Sequence, residues 1–259
     1  MDQFYWIGLK AVSGIGNILF RRLLEKFDTP EAALSASPSM LSGIRGISAA
    51  IIEEIRNGAW RRFAEEECRR LESSGARLVM FTSADYPKAL FQIPDPPPFI
   101  YVKGMLPAGE VAVAVVGSRR ATSYGLMTTG KLSGELACRG VCIVSGLARG
   151  VDTAAHRGAL QAGGKTIGVL GCGIDVIYPP EHKTLAQQII EHGALISEYP
   201  LGTKPDAGNF PPRNRIISGL ALGALIVEGD ESTGARITIE DALEQGRETF
   251  AVPGNIFHR

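Results

Sequence analysis

From residue 109 onward the sequence alternates between apolar runs of strand length and helix-length segments, and few folds accept that order. Strands are expected at 111–117, 141–146, 165–171, 194–199, 224–229 and 249–254. Helical segments fall between them at 123–138, 153–162, 181–192, 212–221 and 235–245. The strands are unbroken Val/Ile/Ala runs, as expected where both faces of a sheet are covered. Six strands with five crossovers imply an α/β fold built on a doubly wound, mostly parallel sheet with right-handed connections. Ligands in such sheets bind beyond the carboxyl ends of the strands.

The segment before it reads differently. Residues 1–72 are expected to form a small all-α domain, with 73–259 as the sheet domain. "NILFRRLLEKF" places Ile18, Leu19, Leu23, Leu24 and Phe27 on one helical face. Thr29 before Pro30 is a cap and first-turn pair. "AAIIEEIRNGAWRRFAEEECRRLESSG" keeps helical period to Gly75. Gly14-Ile15-Gly16 and Gly46-Ile47-Ser48 stand between helical segments in a pattern that resembles the helix-hairpin-helix. That hairpin can offer backbone N–H groups to a nucleic-acid phosphate, or serve only as a packing hairpin. Two strands, "ARLVMF" and "PFIYVKG", open the sheet domain across a proline-rich stretch.

Lys+Arg and Asp+Glu both number 27, so a nucleic-acid site would be a local patch and not a basic domain. The cysteines Cys68, Cys138, Cys142 and Cys172 form no C-x-x-C pair and no zinc-finger spacing. Cys138, Cys142 and Cys172 lie in apolar segments and are expected to be buried thiols. No signal peptide opens the chain, and no apolar run reaches the roughly 18 residues of a membrane span. A soluble, cytoplasmic protein without membrane contact is expected.

The strand ends carry the chemistry. "GSRRATSYG" follows the first strand but matches neither G-x-G-x-x-G nor the P-loop. Gly117 lets the backbone turn, Ser118 offers a hydroxyl and an N–H, and Arg119 can fork onto a phosphate or pair with a neighbouring carboxylate. In "SGLARGVDTAAHRGAL", Ser145, Gly146, Ala148 and Gly150 form a small-residue loop whose N–H groups would suit a phosphate. Asp152 sits where an N-cap belongs; a Ser145–Asp152–His156 triad lacks the G-x-S-x-G context. "GCGIDVIYPPEHKTL" offers Asp175, Tyr178 and Lys183. In "SEYPLGTKPDAGNFPPRNRIISGLA", Asn209 and Phe210 precede two prolines, and Arg213, Asn214 and Arg215 follow. Cations in a first helical turn oppose the helix dipole, so an anion is expected to offset them. An aromatic beside arginines is how a base is stacked while its phosphate is held; a core Phe with solvated arginines is the alternative. The acidic tip Glu228, Asp230 and Glu231 would be solvated or bind magnesium, and solvation is the simpler reading.

These stretches, with "IVEGDESTGARIT" and "FAVPGNI", resemble in order and spacing the DNA-processing protein A (DprA/Smf) family over roughly residues 80–259. The resemblance implies an extended Rossmann-like domain preceded by a sterile-alpha-motif or helix-hairpin-helix-like domain. It implies a homodimer that binds single-stranded DNA without sequence preference, protects it, and loads the RecA recombinase in natural transformation, with no catalytic activity and no cofactor. By position, Arg119 matches the arginine of the G-[ST]-R motif in the DNA pocket, Phe210 a base-stacking aromatic, and Arg213 and Arg215 the R-N-R segment. Pro180 and Ala207 stand where some members have lysine, with Lys183 and Lys204 as the nearest replacements. Many members continue into a winged-helix-like domain that this sequence does not include, so the resemblance implies a partial chain. The competing reading is a nucleoside-monophosphate phosphoribohydrolase of related fold. Its P-G-G-x-G-T-x-x-E signature meets "STGARITIED" here, which lacks the leading glycines; only Thr238 and Asp241 echo it.

Overall fold

The computed structural model describes residues 3–107, 109, 111–229 and 234–254. Six helices come first: α1 (Gln3–Ala11), α2 (Asn17–Phe27), α3 (Pro30–Ser35), α4 (Pro38–Ser42), α5 (Ala49–Asn57) and α6 (Trp60–Ser74). Gly14 and Gly46 take φ of 87° and 100° in the turns that lead into α2 and α5, a conformation open to glycine and costly for other residues. Thr29 caps α3 by accepting from Ala32 N at 3.1 Å. Two expectations are corrected here. The helical period from 49 to 75 is broken at Gly58, which adopts the left-handed conformation between α5 and α6. On α2, Phe20 is buried in place of Ile18, which is exposed.

The sheet follows with β1 (Arg77–Met80), α7 (Lys88–Phe91), β2 (Phe99–Gly104), β3 (Ala112–Gly117), α8 (Ser123–Cys138), β4 (Cys142–Ser145), α9 (Val151–Gln161), β5 (Thr166–Leu170), α10 (Lys183–His192), β6 (Ala194–Ser197), α11 (Phe210–Gly219), β7 (Gly223–Val227), α12 (Gly234–Glu244) and β8 (Glu248–Ala251). The eight strands lie in the order β1-β2-β6-β5-β4-β3-β7-β8. Strands β3 to β8 are parallel, while β2 joins β6, and β1 joins β2, in antiparallel register. This is the doubly wound Rossmann-like arrangement, lengthened at one end by an antiparallel pair.

Strand alternation decides what each face covers. Phe99 and Tyr101 of β2 turn toward the N-terminal helices and α10, in one apolar cluster with Trp6, Phe20 and Leu71. Ile100 and Val102 turn the other way, with residues of α7, α11 and α12. The helices are also stitched to the sheet by a buried carboxylate: Glu67 of α6 accepts from Tyr101 Oη and Leu201 N, each at 2.7 Å. Burial raises the Glu67 pKa above the usual carboxylate range, against the pull of those two donors. Of the three cysteines expected to be buried, Cys142 and Cys172 are; Cys138, in the last turn of α8, is exposed.

Candidate nucleic-acid interface

The carboxyl ends of the parallel strands open onto a cleft of about 850 Å³. It sits where the connections reverse direction, between β3 and β7, the usual ligand position in this architecture. The loop after β3 forms one wall, and the first turns of α11 and α12 form the opposite one.

The β3 loop is fastened from both sides. Ser118 N donates to Glu228 O at 2.7 Å, and Ser118 O accepts from Val151 N at 3.1 Å. A Cβ on Gly117 would overlap Val227 O, and one on Gly150, at φ 75°, would overlap Ser118 O. These glycines therefore permit backbone to pack against backbone. Glu228 is not a solvated tip residue: its carboxylate accepts from Thr122 N at 2.7 Å and from Thr122 Oγ1. Asp230 and Glu231 lie outside the described residues. What this bracing leaves exposed is Arg119 and Arg120. Among the described residues neither forms an ion pair, and both line the cleft.

Two amides of the loop after β4 are already engaged within the chain. Asp152 is the second residue of α9, not its cap; its Oδ2 accepts from Gly146 N and Ala148 N, each at 3.1 Å. Ser145 is fully buried and donates to Val115 O at 2.7 Å. Ser145 and Gly146 thus lie below the floor and are not cleft-lining groups. Two of the N–H groups expected to receive a phosphate are already taken by a carboxylate. Burial raises the Asp152 pKa, opposed by the nearby Arg213 guanidinium.

His156, one turn on, is also buried. Thr166 Oγ1 donates to Ile143 O at 2.7 Å, so the His156 contact at 2.7 Å must be Nδ1–H donating to Thr166 Oγ1. Nε2 is left bare and unpartnered. Burial holds this imidazole neutral, with a pKa pushed down to about 3. The unfolded chain binds a proton near 6.5 that the folded chain refuses, so this residue's contribution is present above pH 6.5 and lost as pH falls toward 3. At about 1.4 kcal/mol per pH unit, the stability gap between wild type and His156→Leu should shrink by about 3 kcal/mol from pH 7 to pH 4, measured by urea unfolding. A constant gap would contradict the assignment.

The α11 wall carries the aromatic. Phe210 starts the helix, with Pro211 and Pro212 in its first turn. Its ring lies on Gly171, where a Cβ would come within 2.7 Å of Phe210 Cδ1. Tyr178 stands beside it, ring centroids 5.9 Å apart and planes 30° apart. Arg119 and Arg213 hold their guanidinium carbons 5.3 Å and 5.9 Å from the Phe210 centroid. The ring is half-buried, so it is neither a core residue nor free.

Arg213 and Arg215 part company. Arg213 is buried at the cleft floor, with Nη1 donating to Gly146 O at 2.9 Å and also to Val169 O. Burial pushes its pKa down to about 10, with Asp152 opposing. Arg215 turns away from the cleft and binds Asp95 Oδ2 and Glu198 Oε2, each at 2.7 Å. The anion expected to offset Arg215 is thus a pair of carboxylates of this chain. Asn214 Nδ2 donates to Gly234 O at 3.0 Å, which ties the start of α12 to the cleft. Asn209 supplies its carbonyl to Tyr199 Oη at 3.0 Å. Lys183, exposed at the start of α10, and Lys204 do not line the cleft. Arg120 and Tyr178 do; the sequence marks Tyr178 only as an available polar group, and Arg120 is not among the expected binding residues, its signal being the doubled arginine.

A family model for DNA recombination-mediator protein A matches residues 77–259. The chain belongs to that family. Every described residue of the cleft lies inside the matched segment. The Smf protein of Synechocystis sp. is 40% identical over 263 residues, covering 98% of this chain and 65% of its own length. DNA processing protein DprA of Bacillus subtilis is 44% identical over 186 residues, covering 71% of this chain and 62% of its own. The chain thus spans under two thirds of these relatives. The crystal structure of DNA processing protein A from Streptococcus pneumoniae superposes with a TM-score of 0.80 at 32% identity, over 99% of this chain and 88% of that one. DNA processing protein A from Helicobacter pylori, described for its single-stranded DNA binding mode, matches with a TM-score of 0.63 at 31% identity, over 70% and 83%. The Streptococcus pneumoniae structure therefore matches the N-terminal helices as well as the sheet.

Proposed function

We propose that this chain binds single-stranded DNA in the cleft, protects it, and loads the RecA recombinase onto it in natural transformation, acting as a cytoplasmic homodimer. The observation that carries the reading is Phe210: a half-exposed ring on a rigid helix start, flanked by two guanidiniums, in the wall of a nucleotide-sized cleft. A single strand can lay an unstacked base on that ring and a phosphate on Arg119. The Helicobacter pylori relative's single-stranded DNA binding supports the ligand, and the family's description as a recombination mediator supports the RecA step. No helix among the described residues is long and apolar enough to cross a membrane.

Gly117, Ser118 and Gly150 hold the arginine loop in this reading; Ser145 and Gly146 support the floor. Asn209, Asn214 and Arg215 position α11, and Lys183 adds charge outside the cleft. The protein is a binder and not an enzyme, so incubation with AMP should release no base.

Binding isotherms on oligo-dT across a salt series test the roles. Arg119→Ala should weaken binding and lower the log–log salt slope by about 0.7, one single-strand phosphate contact. Phe210→Ala should lose about five- to a hundredfold in affinity, from about 1–3 kcal/mol of stacking, with the slope unchanged. Wild-type slope and affinity in a folded Arg119→Ala protein would remove Arg119 from the site.

A further inference from the structure

The segment after β6 leads from the sheet to Phe210, and the N-terminal helices hold it near its start. Leu201 is buried in the same apolar cluster as Trp6, Leu71 and Tyr101. Both of its backbone groups are held from α6: Leu201 N donates to Glu67 Oε1 at 2.7 Å, and Leu201 O accepts from Arg70 Nη1 at 3.4 Å. Residues three apart share one face of a helix. Tyr101 Oη donates to the same Glu67 Oε1, so the acceptor is itself fixed from β2.

The chain of bonds continues from Leu201 to the ring. Gly202 N donates to Asp175 Oδ1 at 2.8 Å, and Thr203 O accepts from Gly173 N at 3.0 Å. Pro205 and Ala207 then line the cleft. Tyr199 Oη donates to Asn209 O at 3.0 Å. That bond joins the ends of a compact loop, 199–209, whose last residue precedes Phe210. We propose that Glu67 is a positioning residue for single-strand binding: α6 sets the 199–209 loop, and the loop sets the Phe210 ring against the base. The inference rests on the cleft being the single-strand site. It gives the N-terminal helices a part in DNA binding that requires no contact with DNA.

Oligo-dT binding and thermal unfolding of Glu67 variants of the full chain test this. Both bonds end on Oε1, so Glu67→Gln keeps the acceptor and removes only the charge. It should bind within about 1.5-fold of wild type. Glu67→Met keeps the length and removes the acceptor. It should weaken binding about three- to tenfold, the range of one net hydrogen bond, at an unchanged salt slope. Removing a carboxylate would by charge alone favour DNA binding, so the sign of the effect separates positioning from electrostatics. In a Phe210→Ala background, Glu67→Met should cost less than about 1.5-fold more, because the two act as one unit. If Glu67→Met fails to fold, Glu67→Met combined with Tyr101→Phe decides the matter. Apolar groups of matching shape on both sides preserve the core, and Leu201 N still lacks its acceptor. Wild-type affinity in a folded variant without the acceptor, an equal loss in Glu67→Gln, or full additivity with Phe210→Ala would each overturn the positioning role while leaving the cleft as the DNA site. No oligo-dT binding by the wild-type protein, or none lost in Phe210→Ala, would overturn the cleft reading and the positioning role with it.

Discussion

Replacing Arg213 by alanine is expected to remove about 3–5 kcal/mol of folding stability, the range for taking one partner from a buried charged network. Arg213 is 4% exposed and its guanidinium serves two backbone carbonyls at once. It also stands close to Asp152: a Cβ on Gly146 would lie 2.7 Å from Arg213 Nη2 and 2.8 Å from Asp152 Oδ2. Removal leaves Gly146 O and Val169 O without that donor and a buried carboxylate without its nearest positive charge. Lysine cannot span both carbonyls, so Arg213→Lys should recover only part of the loss. Urea unfolding should show a lower midpoint at an unchanged slope. A wild-type midpoint in Arg213→Ala would mean that the floor of the cleft is not built as described.

Gly150→Ala should cost about 2–6 kcal/mol. Roughly 1–3 kcal/mol comes from a backbone at φ 75° and ψ −124° that a side chain tolerates poorly. Another 1–3 kcal/mol or so comes from overlap with Ser118 O. The overlap must displace the loop that presents Arg119, so single-strand affinity should fall as well, even where the variant is still folded. Thermal unfolding and oligo-dT binding together check this. An alanine variant that melts and binds as wild type does would show that the loop is not clamped against α9.

The elements that could be read from the sequence were those whose signal is local. Strands β3 to β7 are rich in Val, Ile, Ala and Leu, and each begins and ends within two residues of its expected place; β8, Glu-Thr-Phe-Ala, ends three residues early. The Thr29 cap on α3 is a contact three residues long. Phe210 and its prolines were legible as a helix start, because the prolines fix it in the same short stretch. What could not be read depended on distant partners. Arg215 looked equivalent to Arg213 in "RNR", yet two positions along a helix turn the side chain through most of a half-circle. Its carboxylates come from residues 95 and 198, out of reach of any local pattern. Asp152 looked like a cap because it precedes an apolar helical run. The loop instead curls back, and the carboxylate meets the amides of Gly146 and Ala148. Glu228 looked solvated at a strand end until β7 was placed beside β3, opposite Thr122.

The central claim is that the cleft reads an unstacked base and a phosphate together, which a duplex cannot present. The direct measurement is equilibrium binding of oligo-dT and of a blunt duplex of equal length at one salt concentration. The account predicts clearly tighter binding of the single strand, with the preference lost in Phe210→Ala while that variant melts as wild type does. Equal affinity for the two DNAs in the wild-type protein would contradict it.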